Sequence, residues 1–290
     1  MKKIIILIPI YNDWESLNEL LSEINQNIKF YNDINFECLI VNDASIIQPQ
    51  KLNKPDNFES LELLNMKENR GHARCNAFGI RHIFKNKKFD YLILMDGDGE
   101  DRPIEIQNLI NKVSTEPDVS VVAKRVERSD GYFFKFLYEI HKLITFIFTG
   151  KKMNFGNYTC LTKKDAIKIS SSPSLWSSYS ATVKSNIKNL NEISSKRGPR
   201  YFGPSKMSLF SLIIHSLSII AVFRKQVFIR SIFIFLILFF LNKSFGSIFI
   251  ILQILLVLFN LIILIISFRE NEKHLFSCQN NLKTINNIFP

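Results

Sequence analysis

Cysteine is sparse in this chain: Cys38, Cys75, Cys160 and Cys278 are the only four in 290 residues. None stands in a Cys-x-x-Cys pair, so neither a disulfide framework nor a thiolate metal site is expected, and a reducing cytosol fits. Acidic residues are also short, 26 against 37 Lys and Arg, leaving a net charge of +11. Such a balance suits either nucleic acid or an anionic membrane surface. No nucleic-acid recognition motif is present and the basic residues gather around the apolar C-terminal third, which excludes nucleic acid and favours the membrane. A secretory signal is lacking too. After Met1-Lys2-Lys3 the apolar run of residues 4–8 is short, has no small-residue cleavage site, and meets Pro9 and Asp13. It reads as a first β-strand.

What the first two-thirds does contain is alternation. Residues 4–8, 36–41, 61–64, 91–95 and 119–123 read as strands. Asp13 can cap a helix whose Leu17, Leu20, Leu21, Ile24 and Ile28 share one face. Residues 71–84 give a second helix, Pro103 opens a third, and residues 133–148 form a long aromatic helix suited to a core or a membrane edge. Strands alternating with helices predict a doubly wound, mostly parallel α/β sheet.

The chain is organised around residues 89–103. A short buried strand there turns abruptly into carboxylates, Asp96, Asp98, Glu100 and Asp101, separated by Gly97 and Gly99. Hard oxygen donors on a tight turn at the C-terminal edge of a parallel strand suit Mg²⁺ or Mn²⁺. A solvated acidic turn is the alternative. A calcium loop is excluded, because the sixth residue from Asp96 is Asp101 rather than Gly and the twelfth is Gln107 rather than Glu. Other strand ends meet the same edge. Tyr11 can stack on a base, Asp43 can hold a base or ribose, and Arg70-Gly71 at a helix N-terminus can approach phosphates. Arg125 and Arg128 follow a further strand, where planar guanidinium forks suit phosphate oxygens; read alone, that run is a solvated basic loop.

In order, Pro9-Ile10-Tyr11-Asn12-Asp13, Val41-Asn42-Asp43-Ala44-Ser45, Asn69-Arg70-Gly71 and Asp96-Gly97-Asp98 resemble the family 2 glycosyltransferases of GT-A fold. Asn42 and Ala44 stand where that family has Asp and Gly. The turn Asp96-Gly97-Asp98-Gly99-Glu100-Asp101-Arg102-Pro103 is similar to the polyprenyl-phosphate branch, which has Gln in place of Glu100. The resemblance implies a nucleotide-diphosphate sugar held by Pro9, Tyr11, Asp13, Asp43, Asn69, Arg70, Gly71 and Asp96. It implies a metal on Asp96, Asp98 and Glu100, with Asp98, Arg125 and Arg128 at the reaction centre. Arg200-x-x-Gly203-Pro204-Ser205-Lys206 is similar to the branch's segment before its membrane region, which implies Arg200 and Lys206 on a lipid phosphate. Gly156-Asn157-Tyr158-Thr159 departs from the branch's Gly-Asp-Phe-Arg. Gln-x-x-Arg-Trp, the signature of processive polysaccharide synthases, is absent.

The C-terminal third is read as membrane-associated. Ser208, Ser211, His215 and Ser218 form a polar stripe on an otherwise apolar helix, which suits the interface. Residues 227–241, with flanks, and 246–268 are long enough to span. Gly246, Gln253, Asn260 and Ser267 make one small or polar face, suited to packing on the first span or on a second copy in a homo-oligomer. Arg224, Lys225 and Arg230 before the hairpin, and Arg269 and Lys273 after it, place both ends in the cytoplasm. The expected division is therefore a GT-A domain over 1–206, an interfacial helix over 207–225, a transmembrane hairpin over 226–268 and a cytoplasmic tail over 269–290. The expected function is inverting transfer of a sugar from a nucleotide-diphosphate sugar to a polyprenyl phosphate at the cytoplasmic face of an inner membrane. The alternatives are transfer to a membrane-bound glycan or lipid-linked saccharide, and a non-catalytic ligand-binding membrane protein of the same fold.

Overall fold

A computed structural model describes residues 1–47, 51–127, 132–204, 208–245 and 248–289. The chain begins β1 (Lys2–Ile10), α1 (Trp14–Ile28), β2 (Ile34–Asn42), β3 (Ser60–Met66), α2 (His72–Asn86) and β4 (Tyr91–Leu94). It continues through a 3-10 turn at Pro103–Glu105 into α3 (Ile106–Thr115), then β5 (Val121–Glu127), α4 (Tyr132–Thr149), β6 (Phe155–Thr162), α5 (Lys163–Ser170), α6 (Tyr179–Asn186) and β7 (Asn191–Lys196). The remainder is α7 (Leu209–Ala221), α8 (Arg224–Phe245), α9 (Ile248–Ser267), α10 (Glu272–Phe276) and β8 (Leu282–Ile288).

The strands form one sheet in the order β7-β5-β6-β4-β1-β2-β3-β8. Pairings of β1 with β2 and β4, of β2 with β3 and of β5 with β7 are parallel. Those of β6 with β4 and β5, and of β8 with β3, are antiparallel. The runs Ile4–Ile8 and Tyr91–Leu94 are buried on both faces, as a sheet covered by helices requires. One face packs on α1 and α3 through Leu17, Leu20, Leu21, Ile24, Leu109 and Val113. The other packs on α2, α5 and α6 through Phe78, Ile80, Ile83, Ile169 and Val183. The expected face of α1 is the buried one. Asp13 stands at its N-cap, but its side chain accepts from Ser16 Oγ at 2.7 Å rather than from a helix N–H.

Helices α8 and α9 are long and apolar enough to cross a membrane, and most of their surface is exposed. The polar face of α9 turns inward: Gln253 and Ser267 are buried, and Gln253 donates to the Phe235 carbonyl of α8. Gly246, expected on that face, lies outside the described residues. Arg224 at the start of α8 pairs with Glu270 just past α9. Arg230 donates to the Ile147 carbonyl at 3.1 Å, covering the C-terminal end of α4, where a cation complements the helix dipole. The chain after the hairpin returns to the same sheet. Strand β8 pairs antiparallel with β3, and Lys67 N–H donates to the Asn281 carbonyl at 2.7 Å.

Candidate active site

The C-terminal ends of the parallel strands gather at one edge. There β1 delivers Tyr11, β2 delivers Asp43, and β4 delivers the acidic turn. Asn12 Oδ1 accepts the N–H groups of Ile46 at 2.9 Å and Ile47 at 3.0 Å, and Ser45 Oγ accepts from the Asn12 N–H at 2.8 Å. The first two loops are thereby locked together. Asn12 adopts φ +53°, a left-handed conformation that asparagine tolerates. Its neighbour in the second loop, Ala44, does the same at φ +54° without that tolerance. Asn42, in place of the family's Asp, donates to Asn65 and accepts from the Ser45 N–H.

Asp43 is almost wholly buried, and its two oxygens accept the backbone N–H groups of Arg70 and Gly71, each at 2.8 Å. Burial raises its pKa against the pull of those donors. Asp43 therefore shapes the Asn69-Arg70-Gly71 loop. Gly71 meets that demand with φ +87°, at the cap of α2. Asn69 and Arg70 are exposed on the loop, Arg70 beside Glu68, and the Tyr11 ring is open at the rim.

The acidic turn is pressed against the first loop: a Cβ on Gly97 would lie 2.9 Å from the Pro9 carbonyl. Asp101 Oδ2 accepts the Asp96 N–H at 3.0 Å and closes the bend. Asp96 Oδ1 accepts from Asn157 Nδ2 at 2.9 Å and lies 3.3 Å from His72 Nε2. Burial opposes its ionisation, yet His72, Asn157 and Arg125 together hold the Asp96 carboxyl well below the usual range. Burial, then the charge of Asp96, push Asp98 up to about 6 and Asp101 up to about 8. His72 shows the reciprocal effect: desolvation works against its charge, and the neighbouring carboxylates raise it overall.

Asp96, Asp98 and Glu100 do not converge on one point. Among the described residues no group of three His, Cys, Asp or Glu side chains is gathered as a metal cage. Each carboxylate has its own partner. Asp98 Oδ2 accepts from Arg200 Nη1 at 2.5 Å, Arg200 also pairs with Asp13, and Arg197 pairs with Glu100. The donor set nonetheless fits a hard dication. Its oxygens belong to one bend, Asp96 and Asp98 repel each other, and the arginines offsetting Asp98 and Glu100 come from a separate segment.

Arg125 extends from β5 toward this cluster, where its charge favours ionised Asp96 and Asp101. A Cβ on Gly156 would lie 2.3 Å from Arg125 Nη2, so the glycine of the departed motif makes room for that guanidinium. Arg128 and Lys206 lie outside the described residues. Sequence reasoning missed His72 and Arg197. His72 adjoins Gly71 in a segment already singled out, and Arg197 stands one turn's length before Arg200. Asn157, noted only as a departure, is a donor to Asp96. No general base emerges from Asp165, which accepts from Ser120, or from Glu192, which pairs with Lys124.

Residues 5–171 match the family model Glycosyl transferase family 2. Over 222 residues the chain is 28% identical to the undecaprenyl-phosphate 4-deoxy-4-formamido-L-arabinose transferase of Yersinia pestis, covering 73% of this chain and 65% of the relative. The same-named protein of Salmonella choleraesuis is 28% identical over 218 residues, with the same coverage. The chain thus spans about two-thirds of the length of these relatives. Among solved structures, glucosyl-3-phosphoglycerate synthase from Mycobacterium tuberculosis, with Mn²⁺, uridine diphosphate and phosphoglyceric acid, superposes with a TM-score of 0.52 at 10% identity. That match covers 78% of each chain and is a likeness of fold.

Proposed function

Given that the chain belongs to glycosyl transferase family 2, we propose that it moves a sugar from a nucleotide-diphosphate sugar to a polyprenyl phosphate at a membrane surface, with inversion at the sugar carbon. The observation that carries this reading is the convergence of the β1, β2, β4, β5 and β6 ends and the segment after β7 on one set of carboxylates ringed by arginines. The curated relatives are named for undecaprenyl phosphate, which supports the acceptor class. The neighbouring synthase was solved with Mn²⁺ and uridine diphosphate, which supports a divalent metal, Mg²⁺ or Mn²⁺, and a nucleotide donor.

Asp96, Asp98 and Glu100 would hold the metal. When bound, the dication neutralises the departing diphosphate as a Lewis acid. Tyr11 offers its ring to the base at the rim of the cleft. Asp43 and Asn12 fix the loops on which that ring and the Arg70-Gly71 backbone stand. Arg125, held close over Gly156, directs a planar fork toward phosphate oxygens. His72 and Asn157 fix the orientation of Asp96. A lipid phosphate is already an anionic nucleophile, so this acceptor needs no general base.

The membrane geometry is consistent. Helix α4 packs on α7 and α8 and exposes Phe136, Ile140, Leu143 and Ile147 at helical spacing, and α7 exposes Leu209, Phe210 and Ile213. Two apolar faces beside two spanning helices form a platform that dips into the lipid surface. The return of β8 to the catalytic sheet supports a hairpin with both ends on one side, and the positive-inside rule supports the cytosol as that side.

The test is a donor screen with membrane fractions, with and without Mg²⁺ or Mn²⁺. An acid-labile sugar on lipid phosphate is the expected product. An extended lipid-linked saccharide would move the assignment to the other acceptor class, and no metal-dependent product from any donor would overturn the enzyme reading.

A further inference from the structure

The acidic turn is covered by a strap. After β7 the chain runs along it: Gly198 N–H donates to the Glu100 carbonyl at 2.9 Å and Tyr201 N–H to the Asp98 carbonyl at 3.1 Å. The Tyr201 ring lies over Gly99, so close that a Cβ there would be 2.3 Å from it. Within this strap Arg197 pairs with Glu100, and Arg200 bridges Asp98 and Asp13. Both guanidiniums are largely withdrawn from solvent, with side chains 18% and 15% exposed. In this seat the Nε of each arginine is buried with no acceptor among the described residues.

We propose that residues 197–201 are an internal counter-ion for the metal site, and that a divalent cation displaces Arg200 from Asp98 and so frees it for the phosphate of the acceptor. The inference rests on the reading that this turn holds a metal. Its logic is exclusion at one carboxylate. A guanidinium and a dication on the same Asp98 oxygen repel each other, so only one can hold it. While Arg200 is on Asp98 and Asp13, its fork is committed and an incoming phosphate finds it closed. Once the cation is bound, Arg200 keeps its charge and its hold on Asp13, loses Asp98, and has Nη1 and the orphaned Nε available to an anion. Loading of metal with donor therefore precedes productive acceptor binding, and the site rests neutralised when both are absent.

The experiment uses the full chain in detergent, with Mn²⁺ alone as the probe and the free ion counted by its paramagnetic resonance. Arg200→Gln should bind Mn²⁺ about tenfold more tightly than the parent or better, a coupling of ordinary size between competing ligands. Arg200→Lys, which keeps the charge without the fork, should fall between. In the unmutated chain, Mn²⁺ should speed tryptic cleavage between Arg200 and Tyr201 several-fold, a readout that needs no variant to fold. Equal or weaker Mn²⁺ binding by Arg200→Gln, or cleavage indifferent to Mn²⁺, would overturn the exchange while leaving the metal site standing. No Mn²⁺ binding by parent or variant would overturn both.

Discussion

Replacing Gly99 by alanine asks whether the strap and the acidic turn form one unit. Gly99 has φ +85°, and a Cβ there would lie 2.3 Å from Tyr201 Cε2 and 2.4 Å from Cδ2. The left-handed backbone costs an L-residue about 1–2 kcal/mol. Forcing a methyl into filled space adds about 1–3 kcal/mol. The ring is no free end: it packs on the core beside α1, and its own N–H is tied to the Asp98 carbonyl. With the strap down the loss is about 2–5 kcal/mol. A cycle of Gly99→Ala, Tyr201→Ala and the double variant, read by chemical unfolding in detergent, separates the two contributions. The backbone strain is present with or without the ring and cancels; the clash does not. Alanine at position 99 should therefore cost about 1–3 kcal/mol less once Tyr201 is alanine. Additivity within about 0.5 kcal/mol would mean the ring does not rest on the turn, and the reasoning fails.

Three further outcomes follow from the geometry. Ala44→Gly should stabilise the protein by about 0.5–1 kcal/mol in the same unfolding assay, because Ala44 is held at φ +54°; a loss would show that the loop does not need that conformation. Arg125→Lys should lower donor turnover about tenfold or more with little change in unfolding midpoint, since a lysine beside Gly156 has charge but no planar fork; unchanged turnover would remove Arg125 from the phosphate site. Asp101 is raised to about 8 by burial and by Asp96. The folded chain then holds that proton where the unfolded chain has lost it, so its contribution to stability falls as pH climbs from about 4 toward about 8. Asp101→Asn should flatten the fall in melting temperature over that range without metal, and an undiminished slope would refute the assignment.

Much of the scaffold was legible because burial on both faces writes itself as plain apolar runs. The run at Ile4–Ile8 became β1 and the five apolar positions of α1 are its buried face. Strands β6, β7 and β8 were not legible. Their sequences, FGNYTCLT, NEISSK and LKTINNI, are polar or mixed because β7 and β8 are sheet edges and β6 carries site residues. The return of the tail as β8 depends on a pairing between residues more than 200 positions apart, which no local pattern encodes. At the site, spacing brought the right loops to one edge but did not say how each side chain is used. Asp43 reads as a ligand contact, and its bracing of two backbone donors could not be read from its neighbours. Asp96, Asp98 and Glu100 read as one cage and are instead divided among His72, Arg200 and Arg197. The two arginine pairs in that division span 97 and 102 positions, and periodicity carries no trace of them.

The central claim is that carboxylates of one bend serve metal-dependent sugar transfer to a lipid phosphate. The most direct measurement is transfer of labelled sugar from a nucleotide-diphosphate donor to purified polyprenyl phosphate, with parent protein and with Asp98→Ala, each with Mn²⁺ and with chelator. The account predicts an acid-labile lipid product from the parent with Mn²⁺, and none with chelator or with the variant. Equal product from Asp98→Ala, or from the parent in chelator, would contradict it.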